Sequence, residues 1–182
     1  MGKSDEFVLA TKEVVKASNG KITKKQYQEM LKSFAEAGIE NAFESGSKAV
    51  NIDTGTANAF ISQDSSIRNE LEAFVQGKDM VMTETAVNEF RNIVNGAGGV
   101  LEQSRAEEFL NRVTIIPDNP SARAMELQVT KKVGANDKII FGTGDNLDIV
   151  TMTSDAKFVR GASAQGVDFK VYVHHPVPLQ GR

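Results

Sequence analysis

Carboxylates recur just beyond short apolar runs. Asp53 directly follows Ala49–Ile52, Glu84 and Glu89 follow Met80–Met82, Asp118 follows Ile115 and Ile116, and Asp155 follows Ile149–Met152. Each, taken singly, suits a helix N-cap, because a carboxylate there accepts backbone N–H bonds and meets the positive end of the helix dipole. Crowded at one edge, they repel one another unless something positive lies between them. A hard divalent cation, Mg²⁺ or Mn²⁺, meets that need through oxygen ligands and retained waters. Thiolate and multi-histidine sites are excluded, since the chain has no Cys and its two histidines, His174 and His175, are adjacent. Thr56, Asn58, Thr153 and Ser154 lie close in sequence to these acids. They are candidates to hydrogen-bond the carboxylates or a substrate phosphate, with turn and cap chemistry as the alternative.

Acids on different segments meet only if the scaffold brings strand ends together. The apolar runs Ala49–Ile52, Met80–Met82, Val113–Ile116, Ile149–Met152 and Phe169–Val173 predict five strands. Helix-like stretches near Ile67–Val75, Thr85–Val94, Ser104–Leu110, Ser121–Val133, Asp137–Phe141 and Phe158–Ala164 separate them. Short strands alternating with helices predict an α/β fold, a three-layer α/β/α sandwich with a mostly parallel sheet of about five strands. In such sheets ligands collect beyond the carboxyl ends of the strands, where the acids fall. Asn95–Gly99 predicts a helix C-terminus and a flexible turn. A small helical segment is expected first. Phe7, Val8, Val14 and Val15 recur at helical spacing up to Asn19-Gly20, and Thr23 with Gln26 resembles a capping box ahead of Tyr27, Met30, Leu31 and Phe34. The expected division is residues 1–45 as this segment and 46–182 as the main domain.

The length of 182 residues with 40% hydrophobic content suits one compact core. A net charge of -3 gives no global basic field, so any nucleic-acid binding must come from a local patch. No 18 apolar residues run together and no secretory leader is recognisable, so no membrane segment is expected and the site of action is expected to be cytoplasmic. Delivery from a longer secreted parent protein is compatible with the same features. Gly2-Lys3-Ser4 imitates the end of a phosphate-binding loop but lacks the glycine-rich turn and the strand before it. The His174-His175 pair, running into Pro176 and Pro178, is read as structural or solvent-exposed.

Four segments, IDTGTANAF (52–60), TETAVNEF (83–90), NDKIIFGTGDNLDIVTMTSDAKF (136–158) and QGVDFKVYV (165–173), together resemble the successive motifs of PIN-domain nucleases. The resemblance covers about residues 48–174 and is closer to a divergent PIN-like subgroup than to the common antitoxin-paired enzymes. It implies an acidic set of Asp53, Glu89, Asp137 and Asp155, which serves as metal ligand and catalytic centre. Asp145, in GTGD, is a further candidate ligand that replaces or supplements one of them.

The resemblance further implies Mg²⁺- or Mn²⁺-dependent hydrolysis of RNA phosphodiesters, tRNA among the candidate targets. Lys157 and Arg160, projecting from the first turns of a helix begun at Asp155, are the expected contacts to the RNA backbone. Lys138, Arg68 and Arg91 are expected to be solvated surface charge. A toxin restrained by a cognate immunity or antitoxin protein is the leading role. A housekeeping RNA-processing nuclease and a non-catalytic RNA- or protein-binding module that kept the fold are the alternatives.

Overall fold

The computed structural model describes residues 49–182, so the helical segment expected in residues 1–45 lies outside the described residues. The chain runs β1 (Ala49–Ile52), α1 (Thr54–Ile61), α2 (Arg68–Val75), β2 (Asp79–Thr83), α3 (Glu84–Ala97), α4 (Val100–Arg112) and β3 (Thr114–Ile116). It continues with α5 (Ala122–Met125), α6 (Ala135–Asn146), β4 (Val150–Thr153), α7 (Ala156–Ala164) and β5 (Val171–Val173). The five strands form one sheet in the order β3-β2-β1-β4-β5, with every neighbouring pair parallel. The predicted α/β/α sandwich is therefore the observed architecture.

Strand β1 is central and buried along its whole length, which is why, Asn51 apart, its residues are apolar on both faces. Val50 and Ile52 face the larger core with Met80, Met82 and Met152, while Ala49 packs with Val81, Ile116, Leu147 and Ile149 on the other face. Right-handed crossovers put the helices between β1 and β3 on one face and the helices flanking β4 on the other. On the first face Phe60 of α1 stacks on Phe109 of α4, with Phe90 of α3 edge-on to it. On the second, Phe141 of α6 meets Phe158 of α7 at 4.3 Å between ring centroids.

Several polar groups are buried in this sandwich, Asn51 among them. The Asn51 amide donates to the Ile140 carbonyl and to Thr151 Oγ1, both at 3.0 Å, tying β1 to α6 and β4. Gly144 makes that approach feasible, since a Cβ there would lie 2.4 Å from Thr151 Oγ1. Glu102 is a buried carboxylate. Its carboxylate accepts the backbone N–H groups of Gly99, Gln63, Gln180 and Gly181 at 2.8–3.1 Å, fastening the C-terminal residues to α4 and to the turn after α1. Burial pushes the Glu102 carboxyl up, but those donors together bring it below the ordinary glutamate range.

Two sequence-based helices differ in extent. Ser121–Val133 is helical only over Ala122–Met125. Beyond it the Thr130 hydroxyl accepts the N–H groups of Lys132 and Val133, and Gln128 exchanges backbone hydrogen bonds with the Gln165 side chain, so local turns replace helical bonds. Asp137–Phe141, by contrast, is the middle of a longer helix that continues through Gly142 and Gly144. Asn95–Gly99 behaves as expected: Gly98 caps α3 and Gly99 precedes α4.

Candidate functional site

The strand order reverses direction between β1 and β4, and a crevice opens at their carboxyl ends, as doubly wound sheets require. It is an open cleft of about 340 Å³ lined by Asp53, Thr54, Gly55, Glu89, Asp137, Ile140, Ser154 and Asp155. Asp53, Glu89, Asp137 and Asp155 thus reach one space from four different segments of the chain.

Each acid is held by its own element. Asp53 is the N-cap of α1, accepting the Thr56 N–H at 2.8 Å, and its own N–H extends the β1–β4 ladder to the Met152 carbonyl. Asp155 caps α7 through the Phe158 N–H at 3.0 Å. Glu89, in the second turn of α3, is gripped on both oxygens, by Thr54 Oγ1 at 3.0 Å and by Asn136 Nδ2 at 3.2 Å. Asp137 lies in the first turn of α6 and accepts the Gly134 N–H from within the same turn. Three of the four carboxylates therefore also serve as helix-end acceptors, so capping and site formation are the same placement.

The electrostatics mark the cleft as short of positive charge. Burial, then the nearby charges of Asp155, Glu89 and Asp53, push the Asp137 carboxyl up to about 7. Burial raises Asp53 as well, against hydrogen bonds from Thr153 and Thr56 and the charge of His174. Among the described residues, no Lys or Arg forms an ion pair with any of the four. An all-oxygen donor set with unbalanced negative potential fits a hard divalent cation chemically. As placed, no three of the described His, Asp or Glu side chains converge closely enough to hold an ion directly.

The other sequence-predicted residues divide clearly. Ser154 lines the cleft, with its Oγ 2.8 Å from where a Cβ on Gly55 would sit, so the glycine keeps that wall open. Thr56 and Thr153 are fully buried beneath the acids, where their hydroxyls serve the carboxylates and backbone rather than a substrate. Asn58 lies further along α1, outside the cleft lining. Lys157 and Arg160 are exposed on α7, the helix that Asp155 caps.

Asp145 is placed elsewhere: Arg123 holds both its oxygens, at 2.8 and 2.5 Å, away from the cleft lining. Asp118 binds Thr85 through its N–H and hydroxyl, bracing the start of α3, and Glu84 is exposed there. Arg68 is spent on the carbonyls of Phe60 and Ser62. Thr54 and Asn136, which grip Glu89, were missed in the sequence, where nothing but adjacency to Asp53 and Asp137 marks them.

The fold and cleft define the chain as an α/β/α protein with an acidic crevice at its topological switch point. It belongs to the family described as "Protein of unknown function (DUF1308)", whose model matches residues 51–182 and so takes in every cleft-lining residue. Similar solved structures include a chain in the crystal structure of VapBC2 from Rickettsia felis bound to a DNA fragment from their promoter. The identity is 21% and the TM-score 0.49, over 62% of this chain and 92% of that one. A second is a domain of a functionally unknown protein from Methanocaldococcus jannaschii DSM 2661, at 18% identity and a TM-score of 0.45, over 74% of this chain and 96% of that one.

Proposed function

We propose that the chain is a metal-dependent endoribonuclease of the PIN-like type, a divergent member whose nuclease domain spans residues 46–182. One observation carries this reading. Four carboxylates from four segments face one open cleft with no cation paired to any of them among the described residues, and burial, followed by repulsion from the other three, pushes Asp137 up to about 7. A structural role would favour neutralising such a cluster, because uncompensated buried carboxylates are destabilising.

Asp53, Glu89, Asp137 and Asp155 would hold Mg²⁺ or Mn²⁺, which when bound supplies Lewis acidity at a phosphate oxygen and acidifies a water. The chain's own residues do the rest. Thr54 and Asn136 hold the two oxygens of Glu89, and Glu89 would complete the shell of the ion or orient the attacking water. Ser154 offers a hydroxyl to a phosphate oxygen at the cleft wall, and Gly55 leaves room for the strand to enter. Lys157 and Arg160 track the RNA backbone outside. RNA, tRNA included, is the proposed substrate, and a toxin role with a protein inhibitor is the proposed setting.

The test is cleavage of total cellular RNA with Mg²⁺ or Mn²⁺, with EDTA as control. Asp53→Ala and Asp155→Ala are expected to lower the rate by about 10²-fold or more each, the scale of losing one electrostatic contact to a transition state. Intact RNA in every lane would assign the cleft to binding instead. Growth arrest on expression without any partner gene distinguishes a toxin from a housekeeping nuclease.

A further inference from the structure

Lys131 and Lys132 stand on a tightly fastened turn between α5 and α6. The Thr130 hydroxyl accepts the N–H groups of Lys132 and Val133 at 3.2 and 3.1 Å, and the Thr130 N–H closes the turn on the Val133 carbonyl at 3.0 Å. Just ahead of it, the Gln128 backbone is linked twice to the side chain of Gln165, which follows α7, at 2.8 and 3.0 Å. Val133 is fully buried in the larger core. Gly161 of α7 lets the turn seat there, since a Cβ on it would lie 3.0 Å from Val133 Cγ2 and 3.1 Å from Lys132 Cβ.

That seating decides which charges become neighbours. Lys157, Arg160 and Gly161 recur at helical spacing and share one face of α7. A turn resting on Gly161 therefore brings Lys131 and Lys132 beside Lys157 and Arg160. All four are exposed, and among the described residues none of them forms an ion pair. No acid occurs from Leu127 to Gly134 or from Ala156 to Gly166. Four like charges held together repel one another, so pinning the turn works against stability unless an anion is drawn to it. In a chain of net charge -3, this is the local basic patch that nucleic-acid binding requires.

The patch also borders the acidic cleft from two segments. The turn runs through Gly134 into α6, whose first turn carries Asp137, and α7 starts at its cap, Asp155. The cleft, about 340 Å³, has the size of a small-molecule site, so one strand rather than a duplex suits it.

We propose that the Thr130–Val133 turn and α7 form one phosphate-binding surface, in which Lys131 and Lys132 join Lys157 and Arg160 to lead a single-stranded RNA to the acids. The proposal rests on the nuclease reading for the strand's destination, yet its test reads binding and not cleavage.

Fluorescence anisotropy of a fluorescein-labelled single-stranded RNA is measured with the full chain over a series of salt concentrations, in EDTA and again in Ca²⁺. Neither condition supplies the Mg²⁺ or Mn²⁺ that cleavage is proposed to need. Lys131→Gln/Lys132→Gln keeps both aliphatic stems and alters only exposed positions, with the fold checked by circular dichroism. It is expected to weaken binding roughly 5-fold per lost contact at ~0.1 M salt, and to flatten the slope of log affinity on log salt by about 0.7 per contact. Lys78→Gln/Lys170→Gln removes the same charge where Lys78 serves the Phe74 carbonyl and Lys170 pairs with Asp148, and is expected to leave the slope unchanged.

No RNA binding by the wild type in either condition, or an equal change of slope in the two double variants, overturns the proposal. Lysine-dependent binding to phosphatidylserine vesicles with none to RNA overturns it as well. The expected binding losses without any cleavage in the RNA assay would remove the nuclease reading and leave this surface standing.

Discussion

At the scale of single residues, Asp137 concentrates the consequences of the cleft. Its carboxyl, pushed up to about 7 by burial and then by Asp155, Glu89 and Asp53, holds its proton more tightly folded than unfolded. Its contribution to stability is thus fully present below the unfolded value near 3.8 and is lost as pH rises through about 7. Without added cation, urea midpoints are expected to fall across that window, and Asp137→Asn is expected to flatten the fall and to be the more stable protein at neutral pH. A midpoint that rises over the same interval in the wild type, and equally in the variant, would show that other groups dominate. Added Mg²⁺ is expected to raise the wild-type midpoint most at the alkaline end, where the carboxylate is free to bind it.

The acids Asp53, Glu89 and Asp155 were legible because each follows a recognisable strand, and Asp137 was legible through the family resemblance. What was not legible was the choice among polar neighbours. Thr54 and Thr56 look alike in the sequence, yet two positions along a helix turn one into the cleft and bury the other. Asp145 shows the same limit, since nothing local reveals that Arg123, 22 residues earlier, claims it.

At the scale of elements, the clearest case is the Glu102 clasp. Four backbone N–H groups from three separate stretches depend on one fully buried carboxylate. Glu102→Ala is expected to cost about 3 kcal/mol, as orphaned buried donors do. Limited carboxypeptidase digestion should then release the last residues well before global unfolding. Because the folded Glu102 carboxyl lies below its ordinary range, the clasp's contribution is present above the unfolded value and is lost as pH falls through the folded one. Gly144→Ala probes the opposite face, where a new methyl meets Thr151 Oγ1 and Asn51. The expected loss is about 1–3 kcal/mol by urea denaturation, the usual scale of overpacking a close-packed core. All five strands were readable from apolar runs bounded by breakers. Helix α6 was cut short because its glycines look like loop residues, although Gly144 lets it lie against the sheet and Gly142 lets it lie against Pro120 and Ala124.

At the scale of the molecule, the negative net charge gives no global basic field, so any attraction to a nucleic acid must come from a local patch. If Lys157 and Arg160 are the RNA backbone contacts, the double alanine variant should flatten the dependence of log affinity on log salt by about 0.7 per lost contact on single strands. An unchanged slope would move the RNA path to another face. The fold class was predictable from alternation alone, whereas the strand order was not, because sequence patterning states which segments are strands and not which ones lie together.

That order places β4 beside β1, so that Asn51 pairs with Thr151 across 100 residues of chain. A ribosome making this chain must therefore release residues through β4 before the crevice can exist. Asp53 emerges early but stays without Asp137 and Asp155 until β4 has been made and has docked. The crevice thus closes only after β4 and Asp155 have been made, and a nascent chain that stops short of them cannot carry it into the cell that makes it.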